Sequence, residues 1–103
     1  MLNKILAAAA IPSKEARFPN PPAQTYAVFF VDVTATGPDG YNRIFTHDIS
    51  VELYEPQRDD AAEEALEAEL NKRGIPWTKQ ARYWLDTIRR YQVIYEFSYI
   101  VKT

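Results

Sequence analysis

The sequence predicts a single α+β domain in the order α-β-β-α-β-β, a four-stranded antiparallel sheet with two helices packed mainly on one face. Three observations predict it. In residues 44–54, Phe45, Ile49, Val51 and Leu53 alternate with Thr46, Asp48, Ser50 and Glu52, which is the period of a strand with one buried face. Residues 91–102 repeat the pattern, with Tyr91, Val93, Tyr95, Phe97, Tyr99 and Val101 on one side. Residues 61–73 follow an acidic start and end on Lys72, Arg73 and Gly74, the pattern of a capped helix.

The first element is a helix over residues 2–10, rich in alanine and ended by Pro12. Lys4 and the apolar run behind it faintly resemble a secretory signal, but the run is short and breaks at once on Pro12. Residues 13–24 carry Pro19, Pro21 and Pro22 and read as an extended connector. Residues 1–24 thus form an N-terminal helix and linker, and residues 25–103 the sheet and main helix.

Residues 25–34 are β-branched or aromatic almost throughout and predict the first strand. Residues 35–43 hold Pro38-Asp39-Gly40, turn chemistry for a hairpin loop. After the second strand, Pro56 closes the sheet segment, and Asp60 is expected to cap the helix in a capping box with Glu63. Leu66 and Leu70 supply the helix's core stripe. A third strand is expected over residues 75–85, with Trp77, Lys79, Ala81, Tyr83 and Leu85 on one parity and a turn at Asp86-Thr87; the alternative for residues 83–90 is a helical turn. The last strand's aromatic face is long enough to require cover by helices or by another chain.

Composition excludes several classes. A chain of 103 residues holds one core. The net charge is −2, and the longest basic runs are the pairs Lys72-Arg73 and Arg89-Arg90, so a phosphate-neutralising stripe is missing. There are no cysteines, which removes disulfides, thiolate metal sites and cysteine nucleophiles, and favours a cytosolic origin. No stretch approaches the roughly 20 apolar residues of a membrane helix.

Catalytic constellations are hard to assemble. His47 is the single histidine; it falls on the apolar parity, with Asp48 pointing to the opposite face. Asp59, Asp60, Glu63 and Glu64 are explained by a helix start rather than by a metal. Asp32 and Glu96 read as solvent-facing or as ion-pair partners of Arg43, Lys79 or Arg89. Gly37, Gly40 and Gly74 build no phosphate loop, and the serines lack an elbow context. The expectation is a non-enzyme without metal or cofactor.

The chain resembles a family of small head–tail joining proteins of long-tailed phages and prophages, the tail terminators and tail-completion proteins. The resemblance lies in Pro21-Pro22 before Tyr26-Ala27-Val28-Phe29, in Val51-Glu52-Leu53-Tyr54 before an acidic helix closed by Gly74, and in a final strand Tyr91-Gln92-Val93-Ile94-Tyr95-Glu96-Phe97, over about residues 18–102. It implies a virion protein of the neck, assembled in the host cytoplasm. Such a protein forms a homo-oligomeric ring, typically of six copies, at the head-proximal end of the tail. Its partners would be the tail tube protein and a head-completion or connector protein. It would take no small-molecule substrate and no membrane, and would meet nucleic acid only as DNA passing through the ring. The expected contacts are the loop Gly37, Pro38, Asp39, Gly40, Tyr41, Asn42 and Arg43, with Tyr99 and Lys102 at the end of the last strand. The alternative is a small self-associating ferredoxin-like binding or regulatory module, which would show βαβ order.

Overall fold

The structure, a computed structural model, describes residues 1–37 and 43–102. Its elements run α1 (Leu2–Ala8), β1 (Ser13–Glu15), β2 (Tyr26–Thr36), β3 (Ile44–Glu55), α2 (Asp60–Lys72), β4 (Trp77–Lys79), β5 (Tyr83–Leu85) and β6 (Arg90–Lys102). The fold is α+β, with two helices and a six-stranded sheet in the order β1-β2-β3-β6-β4, β5 also pairing with β6. All pairings are antiparallel except β1 with β2. This order differs from the βαββαβ succession of ferredoxin-like modules.

The expected four strands become six for two local reasons. First, the connector is not wholly irregular. Ser13, Lys14 and Glu15 pair in parallel with Ala27, Val28 and Phe29, covering the start of the β2 edge. Second, the expected strand over residues 75–85 is broken by a bulge. Lys79 lies opposite Tyr95, and Gln80 N still donates to Ile94 O at 2.9 Å. Tyr83, however, lies opposite Gln92, so Ala81 and Arg82 share Val93 as one partner. The extra residue reverses the parity and turns Arg82, rather than Ala81, toward the helices.

Odd-numbered residues of β2, β3 and β6 share the helix side of the sheet. Ala27, Leu53 and Val93 form one row across it, Phe29, Val51 and Tyr95 the next. With Leu2, Ile5 and Leu6 of α1 and Leu66 and Leu70 of α2 they make the core. Both helices therefore cover the same face, as expected.

The two helices end alike. Gly74 N donates to Asn71 O and Ile75 N to Leu70 O, at 3.0 and 2.9 Å. Ala10 N donates to Ala7 O and Ile11 N to Leu6 O, at 3.0 and 3.1 Å. Each is a Schellman closure with its C′ residue in the left-handed region, Gly74 at φ 68° and Ala10 at φ 59°. Helix α1 thus stops at Ala8 through its own hydrogen bonds, two residues before the expected end and ahead of Pro12.

At its other end α2 is capped by Asp59, not Asp60. Asp59 Oδ1 accepts from Ala62 N at 3.0 Å, and its Oδ2 accepts the Thr25 hydroxyl. The bond to the start of β2 selects between two adjacent aspartates. Glu63, one position too late for a capping box with Asp59, is free to turn into the core.

The opposite face of the sheet is half covered. Phe18 stands edge-on to Tyr26, which stacks on Tyr54 with ring centroids 5.2 Å apart. Arg90 lies 5.2 Å over the Tyr26 ring and donates to the carbonyls of Pro22 and Ala23 at 3.0 and 3.2 Å, pinning the proline connector. Farther along the strands this cover stops.

Candidate functional site

The strands outrun the helices. Twelve-residue β3 spans about 40 Å at ~3.4 Å per residue. Thirteen-residue α2 spans about 20 Å. Residues 31–36, 44–48 and 98–102 therefore form a three-stranded arm beyond the core. On the helix side it carries Val33, Phe45, His47, Tyr99 and Val101; on the other it carries Asp32, Asp48, Ser98 and Ile100. Val33 is 48% exposed, Ile100 58% and Val101 38%, and Phe30 at the arm's root is 42% exposed.

The described members of the expected contact set, Gly37, Arg43, Tyr99 and Lys102, fall on this arm. Gly37 and Arg43 end its outer hairpin, closed by Arg43 N donating to Thr36 O at 2.9 Å. Lys102 lies opposite Ile44, so it meets them at the same tip. Tyr99 sits three residues inward, stacked on His47 with centroids 4.9 Å apart and planes 12° apart. Pro38, Asp39, Gly40, Tyr41 and Asn42 lie outside the described residues. His47 is thus half of a cross-strand aromatic pair, while Asp48 accepts the Ser98 hydroxyl at 2.5 Å on the other face.

Asp32 and Glu96 are exposed, the solvent-facing alternative, and Lys79 pairs with Glu63 and Glu67 instead. Asp32 lies directly across from Asp48, and Glu96 accepts from Gln80 Nε2 at 2.8 Å. They border a shallow groove of about 440 Å³ together with Phe30, Ser50 and Ser98. The row makes this side of the arm acidic. Among the described residues no three histidine, aspartate or glutamate side chains converge as a metal site. Among the described residues no helix is long and apolar enough to cross a membrane.

No protein-family model matches this chain, and no curated protein matches it.

A second constellation lies under the helices, and the sequence reading missed it. Glu55, at the end of β3, is 0% exposed, and Glu63 in α2 is 2% exposed. Arg82 Nη2 donates to Glu63 Oε2 at 2.6 Å, and its Nε stands 3.5 Å from Glu55 Oε1. Lys79 Nζ lies 2.8 Å from both Glu63 Oε1 and Glu67 Oε2, and 5.5 Å from the centre of the Tyr95 ring. Burial, reinforced by a hydrogen bond to Glu63, pushes the Glu55 carboxyl up to about 7. Burial acts the same way on Glu63, but bonds from Glu55, Arg82 and Lys79 outweigh it and hold its carboxyl low. The shifts are opposed: of the two carboxyls, Glu55 is the one that holds its proton more tightly and Glu63 the one held as a carboxylate. Glu55 Oε2 is buried and has no hydrogen-bond partner among the described residues, which adds to the cost of ionising this carboxyl. Tyr95 is driven up by burial and by donating to Glu67.

This cluster neutralises two buried acids with two bases and ties the bulge to both β3 and α2. Its cleft is small, about 280 Å³, and rimmed by Arg58, Asp60, Lys79 and Arg82. One signal for it stood in the sequence. Glu63 precedes Leu66 and Leu70 by three and seven residues, so it shares their inward stripe. Glu55 likewise continues the odd, apolar parity of β3.

Proposed function

We propose that this chain is a structural virion protein of the neck of a long-tailed phage or prophage. It forms a homo-oligomeric ring at the head-proximal end of the tail that terminates the tube or joins tail to head. The supporting observation is the arm. A monomer has little reason to extend three strands past its core with Val33, Ile100 and Val101 in water. A ring of identical copies needs a heterologous surface that closes on rotation, and a projecting sheet offers two different flanks for one. The resemblance of residues 18–102 to head–tail joining proteins supplies the setting. The chain's work in this reading is contact, with no chemistry asked of the buried cluster.

The test is to examine the purified chain by light scattering and negative-stain imaging, alone and with tail tubes of the phage that encodes it. Rings with a central pore, or decoration confined to one tube end, are expected. A compact monomer in both preparations rejects the reading.

A further inference from the structure

We infer that neighbouring copies of this chain join edge to edge, the outer edge of β2 in one copy pairing in parallel with the outer edge of β6 in the next, so that one sheet runs through the ring. This deepens the reading above and rests on its self-association.

The main-chain bonds locate both edges. On β2, Ala27 N donates to Pro12 O and Phe29 O accepts from Ala16 N, at 2.8 and 2.9 Å. Odd-numbered residues of β2 therefore point their amides and carbonyls away from β3, and alternation extends this to Val31, Val33 and Ala35. Among the described residues nothing pairs with β2 on that side beyond Phe29. On β6, Ile94 O accepts from Gln80 N at 2.9 Å, so even-numbered residues face outward, continuing to Ser98, Ile100 and Lys102. Strand β4 reaches Phe97 and goes no further, because Pro76 has no amide to offer opposite Ser98. Each flank of the arm thus presents three outward residues, and among the described residues their N–H and C=O groups lack a strand partner except the Ser98 N–H, which faces the Pro76 carbonyl. Two long open edges on one small domain are a template for strand addition.

Direction and parity select the partner. Strands β2 and β6 are both antiparallel to β3, so they run the same way. A sideways copy in the same orientation brings its β6 against β2 in parallel. In a parallel pair, outward residues on one strand bond the residues flanking their partner on the other. Val33 then faces Tyr99 of the next copy and bonds Ser98 and Ile100, while Ala35 faces Val101 and bonds Ile100 and Lys102. The helix sides of both copies stay on one side of the common sheet. Antiparallel pairing of β2 with β6 would turn the next copy over and set Val33 and Ala35 against the acidic face.

Charge points the same way. Asp32 is the one charged residue of the open β2 edge and Lys102 the one of the open β6 edge. Joining unlike edges brings opposite charges to one seam; joining β2 to β2 would bring two Asp32 side chains together. Only the unlike joint repeats with a single kind of contact; a β2–β2 dimer ends in two β6 edges, which would need a second, different joint to continue.

The natural absence of cysteine makes the test direct. Thr34→Cys and Ile100→Cys are made separately and together in the full chain and oxidised mildly, with and without tail tubes. Mixing the two single variants should give the mixed disulfide dimer at least tenfold over either homodimer. The double variant should give a ladder that stops at the ring number. Val33→Pro removes one outward amide and no bond to β3, so it should keep the far-UV spectrum and lose the oligomers. Rings without the mixed disulfide overturn the edge assignment and leave the neck reading standing. Homodimers of either single variant as the main product assign a two-fold joint instead. Monomers throughout, with no mixed disulfide, remove both.

Discussion

At the scale of single residues, the opposed shifts of Glu55 and Glu63 make stability depend on pH in opposite senses. Glu55 is raised from 4.5 to about 7, so the folded state holds its proton more tightly than the unfolded chain does. That stabilisation is fully present below about pH 4.5 and is lost as pH rises toward 7. Glu63 is lowered, so its contribution is present above pH 4.5 and lost on further acidification. Glu55→Gln separates the two. The amide can still donate to Glu63 but never ionises, so the decline between pH 5 and 8 should flatten. Urea melts should find the variant about 1–3 kcal/mol more stable than wild type at pH 8, and within about 1 kcal/mol at pH 5. A difference that does not change with pH would mean that Glu55 carries no proton in the native state. Arg82→Ala should act oppositely. It strands Glu63 with Lys79 alone and releases the bulge, costing about 3 kcal/mol at neutral pH by the same melts. Loss of under 1 kcal/mol would show that Arg82 is held by packing of its stem and not by its charge.

At the scale of elements, the two helix ends are a matched pair. Gly74 adopts φ 68° with nothing within 4 Å of where a Cβ would stand, so Gly74→Ala costs backbone strain alone, about 1 kcal/mol. Ala10 already carries that strain at φ 59° and is exposed, so Ala10→Gly should relieve it and add about 0.5–1 kcal/mol. Thermal melts of both variants should therefore move in opposite directions, and a destabilised Ala10→Gly would refute the shared closure. The same comparison shows what a sequence can display. The Gly74 end, β2, β3 and β6 were legible because periodicity and turn chemistry agree over ten or more residues. The end of α1 was not, since an alanine in the left-handed region leaves no local mark. Strand β1 is three polar residues with no β pattern, and it forms because the β2 edge is there to receive it. The break between β4 and β5 is set by Arg82 reaching two acids distant in sequence. The cap at Asp59 was decided by Thr25, 34 residues earlier. The expected contact residues Gly37, Arg43 and Lys102 could be grouped at one end from strand lengths alone. The Glu55–Glu63 pairing needed the packing of α2 against the end of β3.

At the scale of the whole molecule, shape follows from the unequal lengths of strand and helix. The chain measures 51 × 27 × 22 Å with a radius of gyration of 15.0 Å, against about 13 Å for a compact domain of this size. The excess is the arm, whose root is tied to the core and whose tip carries the segment between Gly37 and Arg43. Folding and the proposed assembly would therefore draw on different parts of the chain. The core residues Leu53, Val93 and Tyr95 are fully buried within one copy, while the arm contributes little to that burial. Deleting residues 38–41 tests this separation. The deletion leaves Gly37, Asn42 and Arg43 between the paired residues Thr36 and Ile44, a three-residue hairpin loop that keeps β2 and β3 in their present register. The shortened chain should melt within a few degrees of wild type, with an unchanged far-UV spectrum. It should nevertheless fail to form rings or to join tails to heads, measured by negative stain and by yield of complete particles. A deletant that is folded and still gives normal numbers of joined particles removes the tip from the contact surface and leaves only the flanks of the arm to carry it. A deletant that unfolds shows instead that the tip is part of the core's own stability, and that folding and assembly are not separable along this chain.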